Sequence, residues 1–259
     1  MEPQLLHTVT DGTAHVVIHH AAKRNAMTAP MWRELPPLLD RLAADPAVRV
    51  LVLTGGGGTF CAGADISSLR DPAAPGEEPQ ALAVRAEEAL AAFPRPTLAA
   101  VRGHCVGGGC QLAAACDLRF AEEGALFGVT PARLGIVYPE SSTRRLVSLV
   151  GPATAKYLLF SAELIDTDRA LRTGLVDEVL PAGELDKRVA EFTRLLVSRS
   201  ALTQAAAKEF ASGRTGTAPY WAAQARGSGD TAEGAAAFLE RREPRFTWTP
   251  PGTPAPDTP

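Results

Sequence analysis

The chain has 259 residues, 46% hydrophobic and 21% charged, a balance that supports one large core with a helical appendage and excludes global disorder. The net charge of −3 offers no field to gather a polyanion, so nucleic acid is not an expected partner. No apolar run approaches the ~20 residues of a bilayer span, and the opening MEPQLLHTVTDGTAHV lacks a basic-then-apolar leader, so a cytoplasmic protein with no membrane partner is expected.

Leu5 to His20 alternates β-branched and polar residues around Asp11-Gly12, which predicts a hairpin. Thr28 to Ala44 predicts an amphipathic helix capped by Thr28, with Pro30 in its first turn and Met31, Leu35, Leu38, Leu39 and Leu42 inward. Val48 to Thr54 is a β-branched run ending in glycine, the pattern of a buried parallel strand. The Pro-, Gly- and acid-rich stretch Arg70 to Pro79 predicts a mobile surface loop, with a helix resuming at Gln80. Thr97 to Val101 is a second apolar strand, followed by Gly103, the triplet Gly107-Gly108-Gly109 and a helix through Cys110 to Ala115. Strand, glycine turn and helix thus occur twice, which predicts an α/β architecture with function at the turns. From Arg188 the pattern is helical: Arg188 to Ser198, Ala201 to Ser212, Tyr220 to Gly227 and Asp230 to Arg242. The expected organisation is a core over 1–187, a helical region over 188–247 and a disordered, proline-rich tail over 248–259.

Cys61, Cys105, Cys110 and Cys116 have neither C-x-x-C spacing nor histidines at metal-ligand intervals, which predicts small buried thiols and no metal site. His7, His15, His19 and His20 fall on or beside the hairpin and are expected at the surface; His104, before the glycine triplet, is placed closer to the turns.

The glycines do not match a nucleotide loop, because Phe60 and Leu112 stand where the G-x-G-x-x-G template needs glycine, and no G-K-S/T follows. A G-x-S-x-G nucleophile elbow is absent too. Bare backbone N–H groups remain. Gly107 to Gly109 opens a helix, where free amides and the helix dipole favour negative charge, and the small-residue loop Phe60 to Ile66 offers a second amide. Two converging N–H groups form an oxyanion hole.

FCAGADI at Phe60 to Ile66, VRGHCVGGGCQLAAACDLRFA at Val101 to Ala121 and KRNAM at Lys23 to Met27 resemble the crotonase, or enoyl-CoA hydratase/isomerase, superfamily. ALRTGLVDEVLP and EGAAAFLERREPRF are similar to its closing segments, and the match runs in order from about Leu5 to Phe246. The resemblance implies a ClpP-like spiral of ββα units with a C-terminal helical trimerisation region, a homotrimer or hexamer, and acyl-CoA thioester substrates. No separate cofactor is implied, because CoA is part of the substrate. Carried over by residue, the oxyanion hole is the N–H of Ala64 and of Gly108, while Ala62, Asp65, Ile66, Ser67, Lys23 and Arg24 lie along the substrate.

The chain departs from the hydratases where they use two glutamates: those positions hold Gln111 and Ala132. Glutamine holds a water without exchanging a proton, and alanine does neither. Thr130 to Leu146 adds Tyr138 and Glu140 instead, and its TP-x-x-LG-x-x-Y pattern is similar to methylmalonyl-CoA decarboxylase of the same superfamily, though that enzyme has histidine where this chain has Ala64 and keeps the glutamate replaced by Gln111. Decarboxylation makes an enolate without a base, so Gln111 and Ala132 avoid repelling a substrate carboxylate and Tyr138 orients it. Alternatively Glu140 is the single base of a double-bond isomerase, or an exposed acid paired with Arg144 or Arg145. A hydratase with water held by Gln111 and a non-catalytic acyl-CoA binder stay open beside these, although amides aimed at a carbonyl favour an enzyme.

Overall fold

A computed structural model describes residues 2–67 and 78–250. In chain order the elements are β1 (Gln4–Thr10), β2 (Thr13–His19), α1 (Ala29–Ala44), β3 (Val50–Gly55), α2 (Pro79–Ala91), β4 (Thr97–Val101), β5 (His104–Val106), α3 (Gly108–Ala115), β6 (Leu118–Glu122) and β7 (Leu126–Gly128). They continue with α4 (Glu140–Ser161), α5 (Thr167–Thr173), β8 (Glu178–Leu180), α6 (Leu185–Val197), α7 (Ala201–Ala211), α8 (Ala218–Ser228) and α9 (Asp230–Glu240).

The hairpin forms as the sequence predicts: β1 pairs antiparallel with β2, and Asp11 and Gly12 both take positive φ, the turn geometry that matches strand twist. From β2 outward the sheet is parallel, in the order β1-β2-β3-β4-β6-β8, and β5 with β7 makes a small second sheet. The continuous apolar runs in β3 and β4 arise because both faces are covered. Leu51, Leu53, Ala99 and Val101 point to the main core with the α1 and α2 stripes, whereas Val52, Leu98 and Ala100 point to Leu185 and Val189 of α6. The parallel strands β2, β3, β4, β6 and β8 therefore all end at the same edge of the sheet.

Several expectations change. The segment Arg70 to Pro79 falls mostly outside the described residues; its last residue, Pro79, already opens α2, at a helix position where the missing N–H has no consequence. Of the tail expected to be disordered, 251–259 lie outside the described residues, but Trp248 is anchored: its Nε1 donates to Gln224 Oε1 at 3.1 Å, and its ring sits 6.1 Å from that of Trp221. His20 is buried rather than on the surface, with Nδ1 2.8 Å from the Ala26 carbonyl, so it organises the Lys23 to Met27 loop. All four cysteines are buried and free, and burial pushes the Cys61 and Cys116 thiols up to about 12, which leaves them inert.

Candidate active site

The two glycine turns are stitched together by backbone bonds. Cys61 N donates to the His104 carbonyl at 2.9 Å and Val106 N to the Cys61 carbonyl at 3.0 Å, so the Phe60 to Ile66 loop runs alongside β5 and delivers its residues to the start of α3. This approach needs glycine at 109, where an added Cβ would lie 2.2 Å from the Cys61 carbonyl oxygen.

Two amides are left over. Gly108 is the first residue of α3, so its N–H has no acceptor within the helix. Met27 N donates to Gly63 O and Asp65 N to Met27 O, both at 2.8 Å, which turns the Ala64 N–H to the opposite side of that pairing. A Cβ on Gly108 would sit 3.4 Å from Ala64 N and 3.0 Å from Cζ2 of the buried Trp32 ring. Both amides therefore border one small space floored by indole. They open onto a cavity of about 310 Å³ walled by Ala62, Ile66, Pro79, Ala83, Pro131, Leu134 and Ile136, with Gln111 and Tyr138 as its inner polar groups.

The sequence-predicted residues divide. Ala62, Ala64, Ile66, Gly108, Gln111 and Tyr138 line the cavity. Lys23 bonds both carboxylate oxygens of Asp65, at 2.9 and 2.8 Å, and Ser67 Oγ at 3.3 Å, so these three tie the two loops that carry the Ala64 amide. Desolvation alone would raise Asp65, but the Lys23 and Ser67 hydrogen bonds outweigh it and hold the carboxyl down at about 2. Arg24 is exposed at a left-handed position; its carbonyl, rather than its charge, reaches the loop by accepting from Ala62 N at 3.0 Å.

Two assignments are overturned. Glu140 does not face the cavity: it opens α4 with its side chain 79% exposed and bonds Arg144 at 2.5 Å one helical turn on. Ala132 is exposed on the short turn Pro131–Arg133, one residue beyond the lining Pro131 and off the wall itself. His104 also lies off the wall. Among the described lining residues the carboxylate is Glu78, exposed at the N-terminal rim of α2.

The sequence reading missed what stands behind Gln111. Glu87 is 0% exposed, and its Oε2 accepts from Gln111 Nε2 at 2.6 Å and from Ser142 Oγ at 2.5 Å. Its Oε1 pairs with Arg145 Nη1. The signal was available, since Glu87 falls within the inward stripe Leu82, Ala83, Ala86 and Leu90 of α2. Burial foremost, with Glu87 adding its charge, raises the Tyr138 phenol well above its ordinary value, which favours the neutral hydroxyl.

Residues 8–249 match the enoyl-CoA hydratase/isomerase family. The chain belongs to that family. It is 36% identical over 243 residues to a crotonyl-CoA hydratase of Syntrophomonas wolfei, covering 90% of this chain and 94% of that one. It is 35% identical over 189 residues to a short-chain-enoyl-CoA hydratase of Clostridium acetobutylicum, 72% of each. A putative enoyl-CoA hydratase/isomerase family protein of Hyphomonas neptunium superposes with a TM-score of 0.89 at 32% identity, covering 95% of this chain and 98% of that one. Membership makes this chain an enzyme of acyl-CoA thioesters with the crotonase fold. No helix among the described residues is long and apolar enough to cross a membrane.

Proposed function

We propose that the protein forms an acyl-CoA enolate without a carboxylate base, by loss of CO₂ from a malonyl-type thioester. One observation carries this reading: beside the Ala64 and Gly108 amides the inner cavity presents an amide and a phenol, with Glu87 sealed behind Gln111 and Glu140 turned to solvent. In such a reaction the bond from the α-carbon to the carboxylate breaks, and its electron pair moves into the thioester carbonyl, whose oxygen becomes the enolate oxyanion held by the two N–H groups. The α-carbon then takes a proton from Tyr138 or a water. The apolar walls Ile66, Leu134 and Ile136 assist, because the localised charge of a carboxylate loses more on leaving water than the spread charge of the departing state.

Double-bond isomerisation needs a base, and Glu78 at the rim is the described lining carboxylate left to supply one. The test is a panel of enoyl-, 3-hydroxyacyl- and malonyl-type CoA thioesters with products read by mass. CO₂ loss is expected to lead, Tyr138→Phe to slow it about tenfold or more, and Glu140→Gln and Glu78→Gln to leave it unchanged. Isomerisation that leads the panel and disappears in Glu78→Gln would replace this reading. Binding of all thioesters with no product would make the protein a binder.

We also propose that the chain assembles as a trimer or a dimer of trimers through its C-terminal helices. Phe238 and Leu239 of α9 stand 83% and 80% exposed, unusual for apolar side chains unless a partner covers them. Light scattering at micromolar concentration is expected to return a multiple of the trimer mass; a monomer contradicts it.

A further inference from the structure

A carboxylate withdrawn from water is costly unless it is paired with a cation and hydrogen-bonded. Glu87 meets that condition with Arg145, Ser142 and Gln111. The arrangement also constrains Gln111, which is 5% exposed. Its Nε2 donates to Glu87 Oε2 at 2.6 Å and to Ser142 Oγ at 3.1 Å, so the nitrogen end of the carboxamide faces this pair. Turning the carboxamide over would press its oxygen against a carboxylate. Among the described residues no protein donor reaches Gln111 Oε1, and this oxygen is not among the sealed, unpartnered atoms, so the opening available to it is the cavity that Gln111 lines.

We propose that Glu87 is a positioning residue that locks Gln111 with its carbonyl oxygen facing the acyl cavity, making this wall a hydrogen-bond acceptor that selects thioesters or waters offering a donor there. The proposal rests on the acyl-CoA reading of the cavity and is independent of which bond the enzyme breaks. Tyr138 adds to the same cavity a hydroxyl that can donate, which the Gln111 oxygen cannot. A substrate group that carries a hydrogen is satisfied by Gln111, whereas one that only accepts is rejected there.

Glutamine at 87 removes the lock, since its own amide turns to meet either end of Gln111 and releases the Gln111 nitrogen toward the cavity. The test compares dissociation constants of 3-hydroxybutyryl-CoA, both enantiomers, with that of acetoacetyl-CoA by calorimetry in the unaltered protein, Glu87→Gln and Gln111→Met. The oxyanion amides are common to all three proteins, so the change in the ratio between variants isolates the wall. The ratio is expected to move toward acetoacetyl-CoA by about two- to tenfold in Glu87→Gln, the worth of one neutral hydrogen bond. Gln111→Met should abolish the preference without inverting it. A purely structural role for Glu87 weakens both ligands equally, and an unchanged ratio in Glu87→Gln overturns the proposal. If neither thioester binds the unaltered protein, the acyl-CoA reading fails and takes this proposal with it. If both bind with no effect of Gln111→Met on their ratio, the proposal alone fails.

Discussion

Gly108→Pro is expected to lower kcat/KM at least about a hundredfold in a protein that still folds, because losing one oxyanion donor removes roughly 3 kcal/mol of transition-state stabilisation. The position suits the substitution. Gly108 is the first residue of α3, where proline's fixed φ is tolerated and its missing N–H breaks no helical bond. Proline also adds a Cβ, which would lie 3.0 Å from Trp32 Cζ2 and 3.4 Å from Ala64 N. Gly108→Ala adds the same Cβ and keeps the amide, so the comparison removes the contribution of that carbon. Circular dichroism checks the fold. Turnover in folded Gly108→Pro within about threefold of Gly108→Ala would dismiss this amide as a donor.

Crotonyl-CoA hydration by the unaltered protein is expected to be slower by orders of magnitude than the ~10 s⁻¹ of an ordinary enzyme. General acid or base assistance contributes ~10²- to 10⁴-fold per group, and neither Gln111 nor Ala132 supplies it. Restoring the carboxylates as Gln111→Glu with Ala132→Glu looks sufficient from sequence, but Ala132 lies off the cavity wall, and the buried neighbour of Gln111 changes the expectation for the other. A glutamate at 111 would face Glu87 Oε2 at the 2.6 Å now spanned by a hydrogen bond, and two carboxylates so close share one proton. The new group is then held protonated and fails as a base. Adding Glu87→Gln removes the like charge, so Gln111→Glu with Glu87→Gln is expected to regain one base at the wall and hydrate crotonyl-CoA above Gln111→Glu alone. Rapid hydration by the unaltered chain, above ~10 s⁻¹, would mean that a positioned water or Glu78 replaces the missing pair.

Much of this was legible in the residues. Alternating and continuous apolar runs separated β1 and β2 from β3 and β4, because their periodicity records how many faces are covered. The glycine triplet and the small-residue loop marked the two turns, since backbone approach of this kind tolerates almost nothing larger, and the family resemblance singled out Gly108 and Ala64 within them. Side-chain direction was less legible. Glu140 follows Tyr138 by two residues, yet a helix begins between them, so the phenol turns inward while the acid meets Arg144. The inward place of Glu87 was legible in the α2 stripe, but its partners stand 24, 55 and 58 residues away, on helices whose packing no local pattern encodes. His20 was misplaced for a similar reason, its burial coming from the tight loop that follows the hairpin rather than from the hairpin itself.

Base-free enolate formation is tested most directly in deuterium oxide, with methylmalonyl-CoA and butyryl-CoA incubated side by side and products read by mass. The expected result is CO₂ release from methylmalonyl-CoA with deuterium entering the product at the α-carbon, while butyryl-CoA, which has no carboxylate to lose, keeps its α-hydrogens. Enzyme-dependent exchange of the butyryl-CoA α-hydrogens with no CO₂ released from methylmalonyl-CoA would contradict it, because only a base reaching that carbon removes them.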